Sequence, residues 1–404
     1  MSVTYCSNCV YPSVSATPMT YDECHVCSGC RVSSQKKKID WTQRWEFLKE
    51  LTDEYRSDSN YDILIPVSGG KDSYYQTHVV VKDLGLKPLL VTYHGNNYLP
   101  EGEYNLYRMR EVFDCDHIIF RPSVDMLTKM NRIGFRLQGD NNWHAHCGIF
   151  TMPIQIAVRY KVPLMMWGEH GFMELGGMYS YNDFVEFTAK TRLEHGLHGY
   201  DWHDFTDDGL KRLGRSDIKE GLTPKDLLWA QYPSDEEIDA IGVRGIYLSN
   251  YVHWDANQHV EIVTKLYDWR PAEQPFERTY RRFSNIDDMH ENGIHDYLKF
   301  VKLGYGRGSD HSSKDIRAGI MSREQGIEMV RKYDHVKPRR DLERWLKYVG
   351  MTETEFDYVC DTLRDPRVWW IQDGQWWKEN VWGKSSPYGP VHLKDEQKQR
   401  YIRN

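Results

Sequence analysis

Four short apolar runs, each followed by a helical stretch, constrain this chain more than any other feature: Ile63-Leu64-Ile65-Pro66-Val67, Pro88-Leu89-Leu90-Val91-Thr92-Tyr93, His117-Ile118-Ile119-Phe120 and Val162-Pro163-Leu164-Met165-Met166-Trp167. Strands joined by crossover helices pair in parallel, and a parallel sheet needs cover on both faces. The pattern therefore predicts an α/β domain with a doubly wound parallel sheet. A fifth run, Ile246 to Val252, follows an interval of residues 172–242 rich in Gly, Asp, Tyr and His. That interval reads as an insertion over one end of the sheet, and such long excursions often serve as lids. With 404 residues, about 40% of them hydrophobic, two folded domains plus appendages are expected. Beyond residue 285 the signals turn helical: Ile294, Tyr297, Leu298 and Val301 form one stripe, Leu342, Trp345, Leu346 and Val349 a second, and Phe356, Val359, Cys360 and Leu363 a third. Ser322 with Gln325 and Thr352 with Glu355 have capping-box form. The last thirty residues, with Trp376, Trp377 and Trp382, carry no pattern that assigns them an element.

Charge narrows the function classes. Acids number 59 against 52 Lys and Arg, a net charge of −7, so nothing drives the chain toward nucleic acid or an anionic membrane. No apolar run nears the ~20 residues that span a bilayer, and Met1 to Tyr5 lack a leader pattern, so a cytoplasmic protein is expected. The 14 Trp and 27 Tyr suggest a surface of flat rings facing a ligand or partner, beyond those that fill the core. Five of eight cysteines fall within the first thirty residues, which suits a metal better than a disulfide framework. Cys6-Ser7-Asn8-Cys9 and Cys27-Ser28-Gly29-Cys30 form two CxxC knuckles suited to one tetrahedral, structural zinc, with an iron–sulfur cluster as the alternative. Cys24 and His25 compete for the same role. The reading divides the chain into a zinc-binding knuckle (1–35), a linking helix (36–60) marked by Trp41, Trp45, Leu48 and Leu51, a sheet domain (61–284) and a helical C-terminal domain (285–404).

The chemistry lies directly after the first strand, in Ser68-Gly69-Gly70-Lys71-Asp72-Ser73 followed by a helix. A strand, a glycine-rich turn and a helix N-terminus make an anion cradle, because free N–H groups and the positive end of the helix dipole point the same way. Ser68 and Ser73 add hydroxyls, Lys71 offsets charge, and Asp72 is positioned to take Mg²⁺. The string resembles the PP-loop of the N-type ATP pyrophosphatases and lacks the Walker A spacing. That superfamily cleaves ATP between its α and β phosphates, to adenylate a carbonyl oxygen for replacement by ammonia nitrogen or to deliver sulfur to tRNA. The resemblance implies a loop at the topological switch point of the sheet, Gly168 beside the adenylate, and Tyr93 and His94 near adenine.

A narrower resemblance covers nearly the whole chain. The order CxxC, CSGC, PVSGGKDS, HCGIF, PLMMWGE, then His295-Asp296-Tyr297-Leu298-Lys299-Phe300 and Gly304 to Arg317, is similar to the N-acetyl sugar amidotransferases of the type named WbpG and PseA. It implies zinc on Cys6, Cys9, Cys27 and Cys30, and conversion of a sugar acetamido group to acetamidino in bacterial surface-polysaccharide (lipopolysaccharide O-antigen) or flagellin-sugar pathways. An amide oxygen is a poor leaving group; transfer of AMP to it, with loss of pyrophosphate, makes an imidate that ammonia can attack. Lys71 and Asp72 would serve the first step, with ATP and Mg²⁺ bound, and His144, His146, Glu169 and His170 are candidates for the base in the second. Arg307, Lys314 and Arg317 are candidates for holding a sugar carboxylate or nucleotide diphosphate. No cysteine has the setting of a glutaminase nucleophile, so ammonia would come from a separate glutaminase partner similar to that of histidine biosynthesis. The competing readings are a tRNA-thiolating PP-loop enzyme, against which Cys115 and Cys147 stand isolated, and an ATP-binding regulatory module without turnover.

Overall fold

The computed structural model describes residues 3–283 and 290–402. Its centre is a parallel sheet of β1 (Ile63–Pro66), β2 (Pro88–Tyr93), β3 (Asp116–Phe120), β4 (Leu164–Trp167) and β5 (Arg244–Tyr247), in the order β3-β2-β1-β4-β5. Alternation along the strands sorts side chains into two layers. Leu64, Leu89, Val91, Met165 and Trp167 face one core, while Ile63, Ile65, Leu90, Leu164, Met166 and Ile246 face the other. Helices Val124–Gln138 and Trp143–Tyr160 fill the first layer; helices Lys71–His78, Pro100–Phe113 and Ala256–Tyr267 fill the second. The chain builds outward from β1 to β3, then returns to the other side of β1 for β4. The two strand ends that meet at this reversal are those of β1 and β4, which is where an open sheet of this kind forms its crevice.

The ends of helix Val124–Gln138 place the backbone of Asp140 by local chemistry. The Ser123 hydroxyl accepts the Met126 N–H, and Gly139, at φ +65, ends the helix in the left-handed region. The chain then folds back so that the Asp140 N–H donates to Gly134 O at 3.1 Å. A Cβ at Gly134 would lie 2.2 Å from Asp140 O, so only glycine admits this approach.

Several expectations need correction. The fifth strand is Arg244–Tyr247, and Leu248–Asn250 is a short 3₁₀ turn, because Asn250 is tied to Val185 O and Arg44. Residues 172–242 are not a lid standing over the sheet. Leu197, Phe205, Leu210, Ile218, Leu222 and Leu227 are buried in the same core as Leu64 and Trp143, and Phe205 stacks on Trp143 at 3.7 Å. The interval has enough apolar side chains to be core, and its charged residues lie in short helices such as Asp207–Arg212 and Asp235–Ile241 and in the turns between them. The three helical stripes fall on Glu291–Leu303, Arg339–Val349 and Glu353–Thr362, which pack on Phe135 of the sheet domain's helix. Ser322 and Gln325 form a full capping box. Thr352 accepts the Glu355 N–H, but the Glu355 carboxylate goes to Arg136 instead.

The C-terminal tryptophan-rich stretch is an antiparallel sheet, β6 (Trp369–Gln372), β7 (Gln375–Glu379) and β8 (Ser385–Pro390). Trp369 and Trp376 are buried with Phe300 and Tyr401, and the Arg364 guanidinium lies over both indoles. The linking helix runs Trp41–Asp53, capped by Asp40, with Leu48 buried in the second layer of the sheet domain. The boundary read between 284 and 285 lies outside the described residues. No helix among the described residues is long and apolar enough to cross a membrane.

Candidate active site

After β1 the chain turns through Ser68 to Ser73 into helix Lys71–His78. Gly69 has φ +87, and a Cβ on it would lie 2.7 Å from the Leu106 backbone, so the turn requires glycine there. Trp269 Nε1 donates to Gly69 O at 3.0 Å, and Ser73 Oγ accepts the Ser68 N–H at 2.9 Å; together they fix the loop. Gly70 is the N-cap and brings no side chain, so the first turn carries no side-chain cap at its start. Lys71 is buried, with its ammonium 2.6 Å from Asp72 Oδ2, and His259 Nδ1 lies 3.3 Å from Asp72 Oδ1. Burial alone would raise the Asp72 carboxyl, but Lys71 and His259 carry it well below the usual carboxylate range. It is a held anion, the state that a cation on the phosphates requires.

The loop opens on a cavity of about 220 Å³ between the ends of β1 and β4. Ser68, Ser73, Tyr93, Gly168 and His146 line it, as do Asn142, Asn292 and His295, over an apolar wall that includes Val67, Val91 and Trp167. Asp140 stands behind the rim, buried, with Oδ2 3.1 Å from His146 Nδ1 and Oδ1 3.0 Å from His295 Nδ1. Burial would raise this carboxyl too; His146 and His295 hold it well below the carboxylate range. Asn142 N–H donates to Asp140 Oδ1 at 2.9 Å, and Asn142 Nδ2 donates to Asn292 Oδ1 at 2.7 Å. No cysteine lines the cavity: Cys147 is buried against Thr151 and Arg192, and burial pushes its thiol up to about 12.

Other expected residues lie elsewhere. His94 turns toward Glu103 and Arg121 and stacks on Tyr98, which itself lines the cavity. His144 sits behind Tyr93, bonded to its hydroxyl at 3.2 Å, and burial lowers it to about 3, so the imidazole is neutral at pH 7. His170 is buried and lowered to about 4 by desolvation, with Nδ1 accepting the Met173 N–H. Glu169 pairs with Lys314 and accepts from Trp254 Nε1, in a second groove that also holds Lys36, Arg281 and Arg317.

The three residues expected to hold substrate lie away from the cavity beside the loop. Arg307 is partly buried, bonded through Nε to Asp296 at 3.0 Å and 3.3 Å from Asp310, so its charge is met inside the fold. Arg317 donates to Glu174 O and Leu175 O, and its Nη2 lies 3.5 Å from Cys27 Sγ and 3.8 Å from Cys9 Sγ. It supports the cysteine cluster, not the cavity. Lys314 and Arg317 both line the second groove, and none of the three lines the cavity beside the loop.

Cys6, Cys9, Cys27 and Cys30 are buried, with sulfur atoms within 4.8 Å of one another. Cys6 and Cys30 Sγ are 3.9 Å apart and Cys9 and Cys27 Sγ 3.7 Å, close to the ~3.8 Å edge of a tetrahedron with zinc–sulfur bonds of about 2.3 Å. The four thiols therefore fit one zinc ion. An iron–sulfur cluster puts irons and sulfides between its thiolates and needs a wider spacing. The Asn8, Cys9 and Cys27 N–H groups point at Cys6 Sγ, which suits a thiolate. Cys24 is exposed and outside the cluster. The knuckle has no core of its own; Tyr11 and the cysteines pack on Tyr305, and Arg323 donates to Cys6 O and Cys9 O.

The sequence reading missed Asp140, Asn142, Asn292, His259 and Trp269, and gave His295 no role. Trp269 meets Gly69 across 200 residues of chain and His295 meets Asp140 across 155, so no local spacing announces either contact.

Residues 277–381 match the family model described as the LPS biosynthesis protein WbpG-like, C-terminal domain. Among curated proteins no match is found. Similar solved structures include an NH3-dependent NAD synthetase from Campylobacter jejuni, at 12% identity and TM-score 0.27 over 50% of this chain and 92% of that one. An NMN synthetase from Francisella tularensis is similar at 12% identity and TM-score 0.26, over 50% and 93%. Residues 277–381 thus carry a WbpG-like C-terminal domain, which follows a parallel α/β sheet whose first strand leads into the SGGKDS loop.

Proposed function

We propose that this chain is an ATP-dependent amidotransferase that converts the N-acetyl group of a sugar to an acetamidino group, forming AMP and pyrophosphate, in bacterial surface-polysaccharide or flagellin-sugar biosynthesis. The observation that carries the reading is that the PP-loop residues Ser68 and Ser73 share one cavity with Asn292 and His295, which belong to the WbpG-like segment. A loop built for phosphate and a domain found in sugar-pathway proteins thus wall a single space.

In the first step the acetamido oxygen attacks the α-phosphorus and pyrophosphate leaves. The glycine turn and the start of helix Lys71–His78 face the phosphates, and Lys71 balances the charge that builds on the leaving group. Asp72 would hold Mg²⁺, which supplies further charge neutralisation when bound. In the second step ammonia attacks the imidate carbon, the carbon–oxygen bond breaks, and AMP departs. The proton released on attack passes to solvent in the cavity that His146 and His295 line, with Asp140 behind them. A structural zinc on Cys6, Cys9, Cys27 and Cys30 would hold the knuckle against the C-terminal helices. Ammonia would come from a separate glutaminase subunit.

The test supplies purified chain with ATP, Mg²⁺ and N-acetylated sugars or their nucleotide conjugates. Turnover is expected with high ammonium and not with glutamine, and a cognate glutaminase should restore glutamine use. Efficient glutamine hydrolysis by the contaminant-free chain would contradict the partner; absence of AMP with every N-acetylated acceptor would contradict the reaction.

A further inference from the structure

We propose that Asp140, His146 and His295 form a second metal site, for a divalent first-row transition ion, whose open coordination positions face the cavity. The three residues come from separate elements. Asp140 follows the left-handed Gly139 turn, His146 lies in the first turn of helix Trp143–Tyr160, and His295 lies on helix Glu291–Leu303. One donor atom from each falls within 4.8 Å of the others, and the two histidine nitrogens stand 3.1 and 3.0 Å from the carboxylate oxygens. Each imidazole nitrogen faces its own oxygen of Asp140, so an ion between the rings would take the carboxylate through both oxygens, or through one after a small rotation of the side chain.

Two imidazoles and one carboxylate on one side of an ion leave the other positions free, and here that free side is the cavity that His146 and His295 line. The ligand set selects against Mg²⁺ and Ca²⁺, which prefer oxygen, and for ions that accept imidazole. The supporting contacts are of the kind that orient ligands. Asn142 N–H holds Asp140 Oδ1, Asn292 holds the Asn142 amide, and the Gly134 contact fixes the Asp140 backbone. The contrast with the four cysteines is chemical: four thiolates close a coordination sphere, whereas these three donors leave one able to bind water, ammonia or a carbonyl oxygen.

This site does not depend on which acceptor the PP-loop serves, and its test needs no substrate. Full-length chain is dialysed to equilibrium against zinc, and bound metal is measured for wild type and for the His146→Ala/His295→Ala double variant, with far-UV circular dichroism as the folding control. Wild type is expected to hold one more ion per chain than the folded double variant, and Cys27→Ser should leave that difference intact. Equal metal in the two proteins overturns the proposal and leaves a carboxylate merely hydrogen-bonded by two imidazoles. If the double variant does not fold, cobalt(II) titrated into wild type decides: paramagnetic broadening of the His146 and His295 ring signals supports the site, and unchanged signals at saturation overturn it.

Discussion

The four-cysteine cluster and the cavity beside the SGGKDS loop both gather polar donors, and they use them in opposite ways. In the cluster each sulfur has another sulfur as neighbour, Cys6 is met by backbone N–H groups, and Arg317 covers Cys9 and Cys27. Nothing is left to bind a substrate. In the cavity Ser68, Ser73, His146 and His295 face open space, while Asp140, behind the two histidines, and the Lys71–Asp72 pair lie outside its lining. A saturated donor set holds the fold together; an unsaturated one is available to a ligand. Arg307 and Arg317 show why charge needs that distinction, because Arg307 pairs with Asp296 and Asp310 and Arg317 donates to Glu174 O and Leu175 O inside the protein.

The largest expected effect strikes the saturated site. Cys27→Ser should lose the zinc of the four-cysteine cluster and expose residues 3–30 to limited proteolysis, since structural zinc contributes on the order of 10 kcal/mol to small domains. Cys24→Ala should retain both metal and protection, and equal metal in wild type and Cys27→Ser would break the comparison. Next, Arg307→Ala should destabilise the chain by about 1.5–3 kcal/mol, because it removes charged hydrogen bonds to the buried Asp296 while Arg278 still pairs with that carboxylate, and thermal or denaturant unfolding measures it. A stability close to wild type with a raised KM for the sugar would instead return Arg307 to the substrate.

The smallest effect concerns pH. His144 titrates at about 3 in the folded protein because of burial, against an ordinary value near 6.5. The unfolded chain therefore binds a proton that the folded chain excludes, and this contribution to stability is present above pH 6.5 and is lost as pH falls toward 3. His144→Asn should flatten the fall in urea midpoint between pH 7 and pH 4. Identical slopes in the two proteins would show that His144 is not held neutral.

What the sequence made legible was local. β1, β2, β3 and β4 lie within two residues of their apolar runs, the Ser68 to Ser73 turn joins strand to helix as its glycines require, and the CxxC pairs meet as their spacing suggests. The hairpin of β6 and β7 also had a local signal, Asp373-Gly374, both at positive φ, between tryptophan pairs; helical expectations for the C-terminal region obscured it. The cavity's far wall had none. His295 sits on a helix whose apolar stripe accounts for its neighbours Ile294 and Leu298, and only the packing of that helix on the sheet domain brings it to Asp140. The insertion was misread for a related reason: its polar turns dominate composition, while the few side chains that fix its place are spread among them.

The central claim is that the loop beside this cavity drives cleavage of ATP between its α and β phosphates. Labelled ATP, ammonium and a panel of N-acetylated sugars, with products separated for wild type and Asp72→Ala, tests it most directly. The account predicts AMP and pyrophosphate from wild type, and a loss of about 10²–10³-fold or more in the variant with the fold retained. ADP and orthophosphate from wild type, or undiminished AMP formation by Asp72→Ala, would contradict it.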